Sequence, residues 1–139
     1  MTTPTMTNPQ SISSAAVWTG RILQSLVVLF LLFDAGIKVL KLGFAVKATV
    51  EVGYPESAVA PIGWILLVSL VIYVVPRTAV LGAILLTGYL GGAVATNVHR
   101  SSSIGFDLLP AIIGMLAWAA LYLRDERLRA MIPFRAANR

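Results

Sequence analysis

The most constraining feature of the sequence is a long apolar run that carries two opposite charges. The run extends from Val17 to Leu42, and a helix that crosses a bilayer needs about 20 apolar residues. Asp34 and Lys38 lie four residues apart within it, so a helix places both on one face. Because lipid solvates neither charge, we predict a membrane-spanning helix whose Asp34–Lys38 face turns towards protein or water.

The composition extends this interpretation to the whole chain. Of the 139 residues, 58% are hydrophobic and 12% are charged, whereas a soluble domain of this size needs a more polar surface. Four apolar runs cover positions 17–42, 59–75, 79–98 and 104–123. The predicted fold class is an all-α integral membrane protein, a bundle of four transmembrane helices. We expect a short amphipathic interfacial helix between helices 1 and 2, stabilised by a Lys47–Glu51 pair and ended by Gly53-Tyr54-Pro55.

The absence of cysteine excludes several kinds of chemistry. Disulfide relay, thiol-dependent quinone reduction and iron–sulfur ligation all require thiols. The sequence has a single histidine, which excludes a multi-histidine metal site or a bis-histidine haem within one chain. We predict no metal site. The basic residues flank the apolar runs and form no soluble patch, so we also predict no nucleic-acid partner.

The two ends of the sequence are polar in different ways. Residues 1–16 are rich in Thr, Ser, Pro and Asn and carry no charge, which is typical of a disordered tail. They lack the basic start and the short apolar core of a cleavable signal peptide, so we expect the first span to be retained. Residues 124–139 form a basic tail whose arginines are expected to meet anionic headgroups.

The distribution of basic residues predicts the orientation in the membrane. Four spans place both termini on one side, together with seven of the eleven Lys and Arg residues. These seven are Arg21, Arg77, Arg124, Arg127, Arg129, Arg135 and Arg139. The other side has Lys38, Lys41, Lys47 and Arg100. The positive-inside rule therefore predicts that both termini are cytoplasmic, which puts the carboxyl end of the first span in the outer half of the membrane.

On this topology, the unusual polar residues gather in the outer half of the bundle. Asp34 and Lys38 are candidates for a catalytic role. The candidates for ligand binding are Tyr89, Gly92, Thr96, Asn97, His99 and Asp107. One hypothesis is a polar pocket that these residues line, since ionisable residues within a membrane often mark functional sites. The alternative is structural: Asp34 and Lys38 neutralise one another between helices, His99 is an interfacial residue, and Asp107 caps a helix.

The third apolar run also contains a motif of small residues. Gly88 and Gly92 have GxxxG spacing, which Thr96 continues. In bilayers such a face allows helices to approach closely. It predicts helix packing, with a second copy of the chain or with a membrane-complex partner. Bare backbone would equally admit a flat or linear lipid-like ligand.

Several stretches of the sequence resemble the DoxX-like membrane proteins. They are Asp34-Ala35-Gly36-Ile37-Lys38, the segment Val52-Gly53-Tyr54-Pro55, the runs PRTAVLGA and TGYLGGAVAT between positions 76 and 96, and Leu121-Tyr122-Leu123-Arg124-Asp125. The resemblance extends from about Trp18 to Pro133. It implies a four-helix bundle in a bacterial inner membrane. The wider family is similar to a subunit of thiosulfate:quinone oxidoreductase and to partners in membrane oxidoreductase complexes.

Three functional hypotheses follow, and they leave open whether the protein is an enzyme. The first is a component of a membrane redox system that binds a quinone or an isoprenoid-like ligand, with Asp34 as proton acceptor and Lys38 as its electrostatic partner. The second is a scaffold or complex subunit that packs through Gly88 and Gly92. The third is a small proton-coupled transporter that uses Asp34, although no repeat between the two halves supports it.

Overall fold

The computed structural model describes residues 12–100 and 104–132, and this part of the chain contains α-helices and no strand. The helices are α1 (Ser14–Val39), α2 (Gly43–Glu51), α3 (Val59–Val74), α4 (Ala79–Arg100), α5 (Ile104–Asp107), α6 (Leu109–Arg124) and α7 (Glu126–Met131). A single 3₁₀ turn, Glu56–Ala58, leads directly into α3. Arg135 and Arg139 of the predicted basic tail lie outside the described residues.

Four of the helices form a closed bundle. Helix α1 packs against α3 and α6, and α4 packs against the same two helices, so that α1 and α4 lie diagonally opposite. Within residues 12–100 and 104–132, three helical segments are long and apolar enough to cross a membrane: α1, α4 and the segment Glu56–Val74. Helix α6 is apolar but has 16 residues, and α5 precedes it. The predicted all-α membrane bundle, with a short helix between its first two spans, is confirmed.

The bounds of the helices differ from the predicted spans in ways that have local causes. Helix α1 begins at Ser14, because the Ser13 hydroxyl caps it by accepting the backbone N–H of Ala16 at 3.3 Å. Helix α4 continues to Arg100, so His99 is helical and does not belong to a loop. The fourth predicted span is interrupted at Leu108, between α5 and α6.

The bundle buries a narrow core and presents an apolar exterior. Leu31, Leu66, Tyr73, Leu86 and Leu121 are almost fully buried where the four helices meet. Large apolar side chains cover the outside; examples are Phe33, Trp64, Val71, Ile84 and Met115, all more than half exposed. Such a surface is stable against lipid rather than water. The protein is therefore a multi-pass membrane protein whose outer surface contacts the bilayer.

Two glycines set how closely the helices approach. A Cβ at Gly63 of α3 would lie 2.8 Å from the backbone nitrogen of Val39 and 2.8 Å from the Cβ of Lys38 in α1. A Cβ at Gly82 of α4 would collide with the backbone of Tyr73 in α3. These contacts are closer than any side chain allows, so α3 packs directly on the backbones of its neighbours.

The glycines of the GxxxG motif do not set a close approach between described helices in this way. A Cβ at Gly88 or Gly92 would meet no atom within 4 Å. Among the described residues, therefore, no helix of the bundle packs on the Gly88/Gly92 face. Packing of this face on another chain stays a prediction.

Candidate functional site

A cavity of about 480 Å³ opens between α1, α2 and α4, on the side of the bundle that α3 borders. We call it the α2 cavity. Its polar wall includes Asp34, Lys38, Tyr54, Tyr89, Thr96 and Asn97. Its apolar wall includes Ala45, Ala48, Ile62, Ile65 and Ala93, and the bare backbones of Gly88 and Gly92 line it as well. The cavity is thus apolar over much of its surface, with polar groups concentrated on α1 and α4.

The charged pair predicted from the sequence forms the centre of the polar wall. The Lys38 Nζ lies 2.6 Å from Asp34 Oδ2, and the two side chains remain 20% and 30% exposed. The same ammonium donates a hydrogen bond of 3.1 Å to the Tyr89 hydroxyl. The helical spacing of four residues brings the pair together on α1, and Tyr89 connects it to α4 across the bundle.

This arrangement leaves hydrogen-bonding capacity directed at the cavity. A lysine ammonium has three donors, and within the described residues Lys38 uses two of them, on Asp34 and Tyr89. The Tyr89 hydroxyl accepts a hydrogen bond from Lys38. In the described part of the chain, no acceptor lies within hydrogen-bonding distance of its own proton. A ligand atom with a lone pair can therefore accept from Lys38, from Tyr89 or from both without displacing an existing bond.

A second group of polar contacts joins the loop after α2 to the end of α4. The hydroxyls of Tyr54 and Thr96 lie 3.1 Å apart, and Thr96 donates its only hydroxyl proton to the carbonyl of Gly92 at 2.9 Å. Tyr54 must therefore be the donor to Thr96. Arg100 pairs with Glu51 at 3.2 Å.

These contacts hold α2 across one end of the cavity. The expected Lys47–Glu51 pair is replaced, because Glu51 faces Arg100 of α4 instead. Tyr54 and Arg100 both line the cavity, although the sequence hypothesis did not include them among the site residues. The signal for Tyr54 was its place in a Gly-Tyr-Pro turn on the same side of the bundle as Asp34. No local pattern identifies Arg100, since its partner lies 49 positions away.

The structure brings together most of the predicted site residues. Asp34, Lys38, Tyr89, Gly92, Thr96 and Asn97 all line the α2 cavity. His99 is exposed on α4 and does not line it. Asp107 is buried at the end of α5 and does not line it either. Asp107 is also not the N-cap of α6, since Leu108 occupies that position without a side-chain capping bond. That any of these residues binds a ligand stays a prediction.

The family model described as DoxX-like matches residues 22–120. The chain belongs to the DoxX-like family. The match contains every residue of the α2 cavity, including the Asp34–Lys38–Tyr89 group, and it ends inside α6. No curated protein and no solved structure matches the chain.

Proposed function

We propose that this DoxX-like protein binds a small hydrophobic ligand, a quinone or an isoprenoid-like molecule, as a component of a membrane redox system. The observation that supports the proposal most directly is the α2 cavity, where free hydrogen-bond donors on Lys38 and Tyr89 face apolar walls. Its volume of about 480 Å³ lies within the range of small-molecule sites, about 300–1,000 Å³.

The chemistry of a quinone head group matches the two kinds of wall. A quinone ring is flat and carries carbonyl oxygens that accept hydrogen bonds but donate none. Gly88 and Gly92 have no side chain to keep a flat ring away from the α4 backbone. The free donors of Lys38 and Tyr89 are available to a carbonyl oxygen, and Ile62 and Ile65 provide an apolar path for the isoprenoid tail.

In this proposal the chain binds and orients its ligand, and Asp34 supports Lys38. The carboxylate holds the ammonium at 2.6 Å, and such a charge-assisted hydrogen bond orients Lys38 beside the ligand carbonyl. Asp34 is also the nearest group that can accept or return a proton at the site. Since the sequence contains no cysteine and no recognisable redox-cofactor motif, electrons would be supplied by a partner protein or by the substrate.

We place the protein in a bacterial inner membrane with both termini in the cytoplasm. The arrangement of basic residues supports this orientation, because Arg21, Arg77, Arg124, Arg127 and Arg129 are at the end of the bundle opposite the α2 cavity. The cavity then lies in the outer half of the membrane, open to a ligand that diffuses within the bilayer.

The test is to identify the small molecules that co-purify with the protein. We would extract it gently from membranes and compare the parent with Asp34→Asn and Gly92→Leu by mass spectrometry. Leucine at position 92 fills the cavity without a Cβ clash. Gly91→Leu is the matched control on the same helix, because position 91 is equally open but does not line the α2 cavity. Glu56→Gln controls for the loss of one carboxylate.

We expect the parent and both control variants to retain a quinone or an isoprenoid, and Asp34→Asn and Gly92→Leu to lose it. Bulk phospholipid alone in every sample would contradict the proposal. That result would favour the scaffold hypothesis, for which the unpacked Gly88/Gly92 face is the specific observation. Retention of the same ligand by Gly92→Leu and the parent would place the binding site elsewhere.

A further inference from the structure

A second cavity, of about 970 Å³, opens at the end of the bundle opposite the α2 cavity. Four arginines from four different segments line it: Arg21 of α1, Arg77 of the α3–α4 connection, Arg124 at the end of α6 and Arg127 of α7. We call it the arginine cavity. We propose that it binds the phosphate headgroup of an anionic phospholipid, a role independent of the proposed quinone site.

No ion pair among the described residues involves these four arginines. The ion pairs among the described residues are Lys38–Asp34 and Arg100–Glu51, and both lie at the other end of the bundle. Arg21 lies 5.7 Å from the centre of the Trp18 ring, a contact that leaves its charge in place.

Two carboxylates also line the arginine cavity, Asp125 and Glu126. Asp125 is engaged with the backbone, since its Oδ1 accepts the N–H groups of Arg127 at 2.9 Å and Leu128 at 3.3 Å and so caps α7. Glu126 lies in the first turn of α7, where a negative charge suits the helix dipole. Among the described residues, four arginines and two carboxylates therefore line the cavity, which leaves it an excess of positive charge.

Arg124 gives the clearest support for an anion site. Its Nε is buried and has no hydrogen-bond partner among the described residues. A buried charged donor without an acceptor is unfavourable, and a phosphate oxygen supplies the acceptor that is lacking. Guanidinium groups also match phosphate geometry, because they can donate two parallel hydrogen bonds.

The surroundings of Arg124 are shaped to hold its side chain. A Cβ at Gly20 of α1 would lie 2.6 Å from Arg124 Cγ and 2.9 Å from the carbonyl oxygen of Ala120. The glycine therefore lets the arginine stem cross the α1 backbone and keeps the guanidinium beside the cavity. This contact fixes the position of Arg124, whereas an arginine on a free tail would remain mobile.

The remaining lining of the cavity favours a lipid over a free anion. Ile12, Val17, Val80, Leu121 and Met131 place apolar side chains beside the guanidinium groups. Trp18 is 63% exposed on the adjoining surface, and tryptophan typically lies at the level of the lipid headgroups. A phospholipid can use both the arginines and the apolar lining, with its phosphate on the arginines and its acyl chains along the apolar exterior. Inorganic phosphate can use the arginines only.

The experiment measures lipid retention on the purified full chain by native mass spectrometry. After exchange into detergent, the protein is titrated with phosphatidylglycerol or with phosphatidylcholine of the same acyl chains. The variants are Arg124→Gln and Arg127→Gln. Arg127 is exposed, so its substitution leaves the packing intact if Arg124→Gln proves unstable. Lys47→Gln, exposed at the other end of the bundle, is the charge-matched control.

We expect the parent to retain phosphatidylglycerol at least fivefold better than phosphatidylcholine. Arg124→Gln and Arg127→Gln should each reduce that preference at least threefold, and Lys47→Gln should leave it unchanged. Equal retention of the two lipids would overturn the proposal, as would the same reduction in Lys47→Gln. Displacement of the lipid by equimolar inorganic phosphate would also overturn it, because the site would then recognise a free anion.

Discussion

Small residues serve different purposes in the two halves of α4. In the amino-terminal half, Ala79, Gly82, Ala83, Leu86 and Leu90 are buried, and Gly82 lies against the backbone of α3. The carboxyl-terminal half, from Gly91 to Arg100, has no buried residue. Several residues of this half line the α2 cavity instead.

The difference shows how a small membrane bundle combines a rigid core with an open site. Helices without a hydrophobic driving force between them depend on close van der Waals contact. The α3–α4 contact at Gly82 and the buried Tyr73 provide such contact at one end. At the other end the helices can then separate around the α2 cavity. There, hydrogen bonding and one ion pair attach α2 and the loop after it to α4.

The largest expected effect comes from filling the packed half of α4. In Gly82→Ala the added Cβ collides with the backbone of Tyr73, which no rotamer change can relieve. We expect a loss of about 2–3 kcal/mol in the free energy of unfolding, typical of overpacking in a rigid site. The measurement is thermal or denaturant unfolding in detergent, monitored by tryptophan fluorescence.

The matched control for that change is Gly88→Ala on the open face of the same helix, where a Cβ meets nothing within 4 Å. Because alanine is the better helix former, we expect Gly88→Ala to stabilise the protein by about 0.5–1 kcal/mol. Equal destabilisation by the two variants would mean that the Gly88/Gly92 face is packed in solution, as an interface between copies would require.

A second comparison uses the tyrosines of the two regions. The buried hydroxyl of Tyr73 donates to the carbonyl oxygen of Ala117 at 2.8 Å and so joins α3 to α6. We expect Tyr73→Phe to lower the free energy of unfolding by about 1 kcal/mol, the usual net value of such a bond. Tyr89→Phe should change stability less, but it should weaken retention of the hydrophobic ligand. Reversed effects on stability and retention would contradict this division between core and site.

A third comparison separates the two hypotheses for the charged pair. Under the proposed function, Asp34→Asn lowers the free energy of unfolding by no more than about 1 kcal/mol, the usual net value of one hydrogen bond, since Lys38 keeps its bond to Tyr89 beside the α2 cavity; ligand retention is nevertheless lost. If Asp34 and Lys38 were instead a packing pair, Asp34→Asn would destabilise the bundle more, and adding Lys38→Met would restore stability. Unfolding and ligand retention, measured on the single and double variants, distinguish these outcomes.

The sequence was sufficient for the bundle and for much of the site. Apolar runs of membrane-spanning length and very short joints determine the order and direction of the helices. Once these are known, the four-residue spacing of Asp34 and Lys38 and their depth bring them near Tyr89, Thr96 and Asn97. The shared depth of these residues was therefore the main signal that they lie around one cavity.

What the sequence did not reveal is the rotation of each helix about its axis. Helix α3 is apolar on nearly every side, so no pattern indicates that Gly63 faces α1. In α4, glycines occur both at Gly82 and in the GxxxG motif, and only the three-dimensional packing distinguishes the contact glycine from the open ones. The same uncertainty of rotation led to the inclusion of His99 and Asp107 in the cavity. The break at Leu108 had no clear signal either.

The smallest expected effect tests whether the backbone of the turn between α1 and α2, beside the α2 cavity, is strained. Lys41 has a φ of 50°, and the N–H of Leu42 bonds to the carbonyl of Ile37 at 3.0 Å, as in a Schellman motif, where glycine is preferred. We expect Lys41→Gly to raise the free energy of unfolding by about 0.5 kcal/mol, because it relieves the left-handed strain. Lys47→Gly, within the regular helix α2, should instead lower it by about 1 kcal/mol. If both glycines destabilise the protein equally, the turn between α1 and α2 is not strained, and the position of α2 over the cavity depends on Glu51–Arg100 and Tyr54–Thr96 alone.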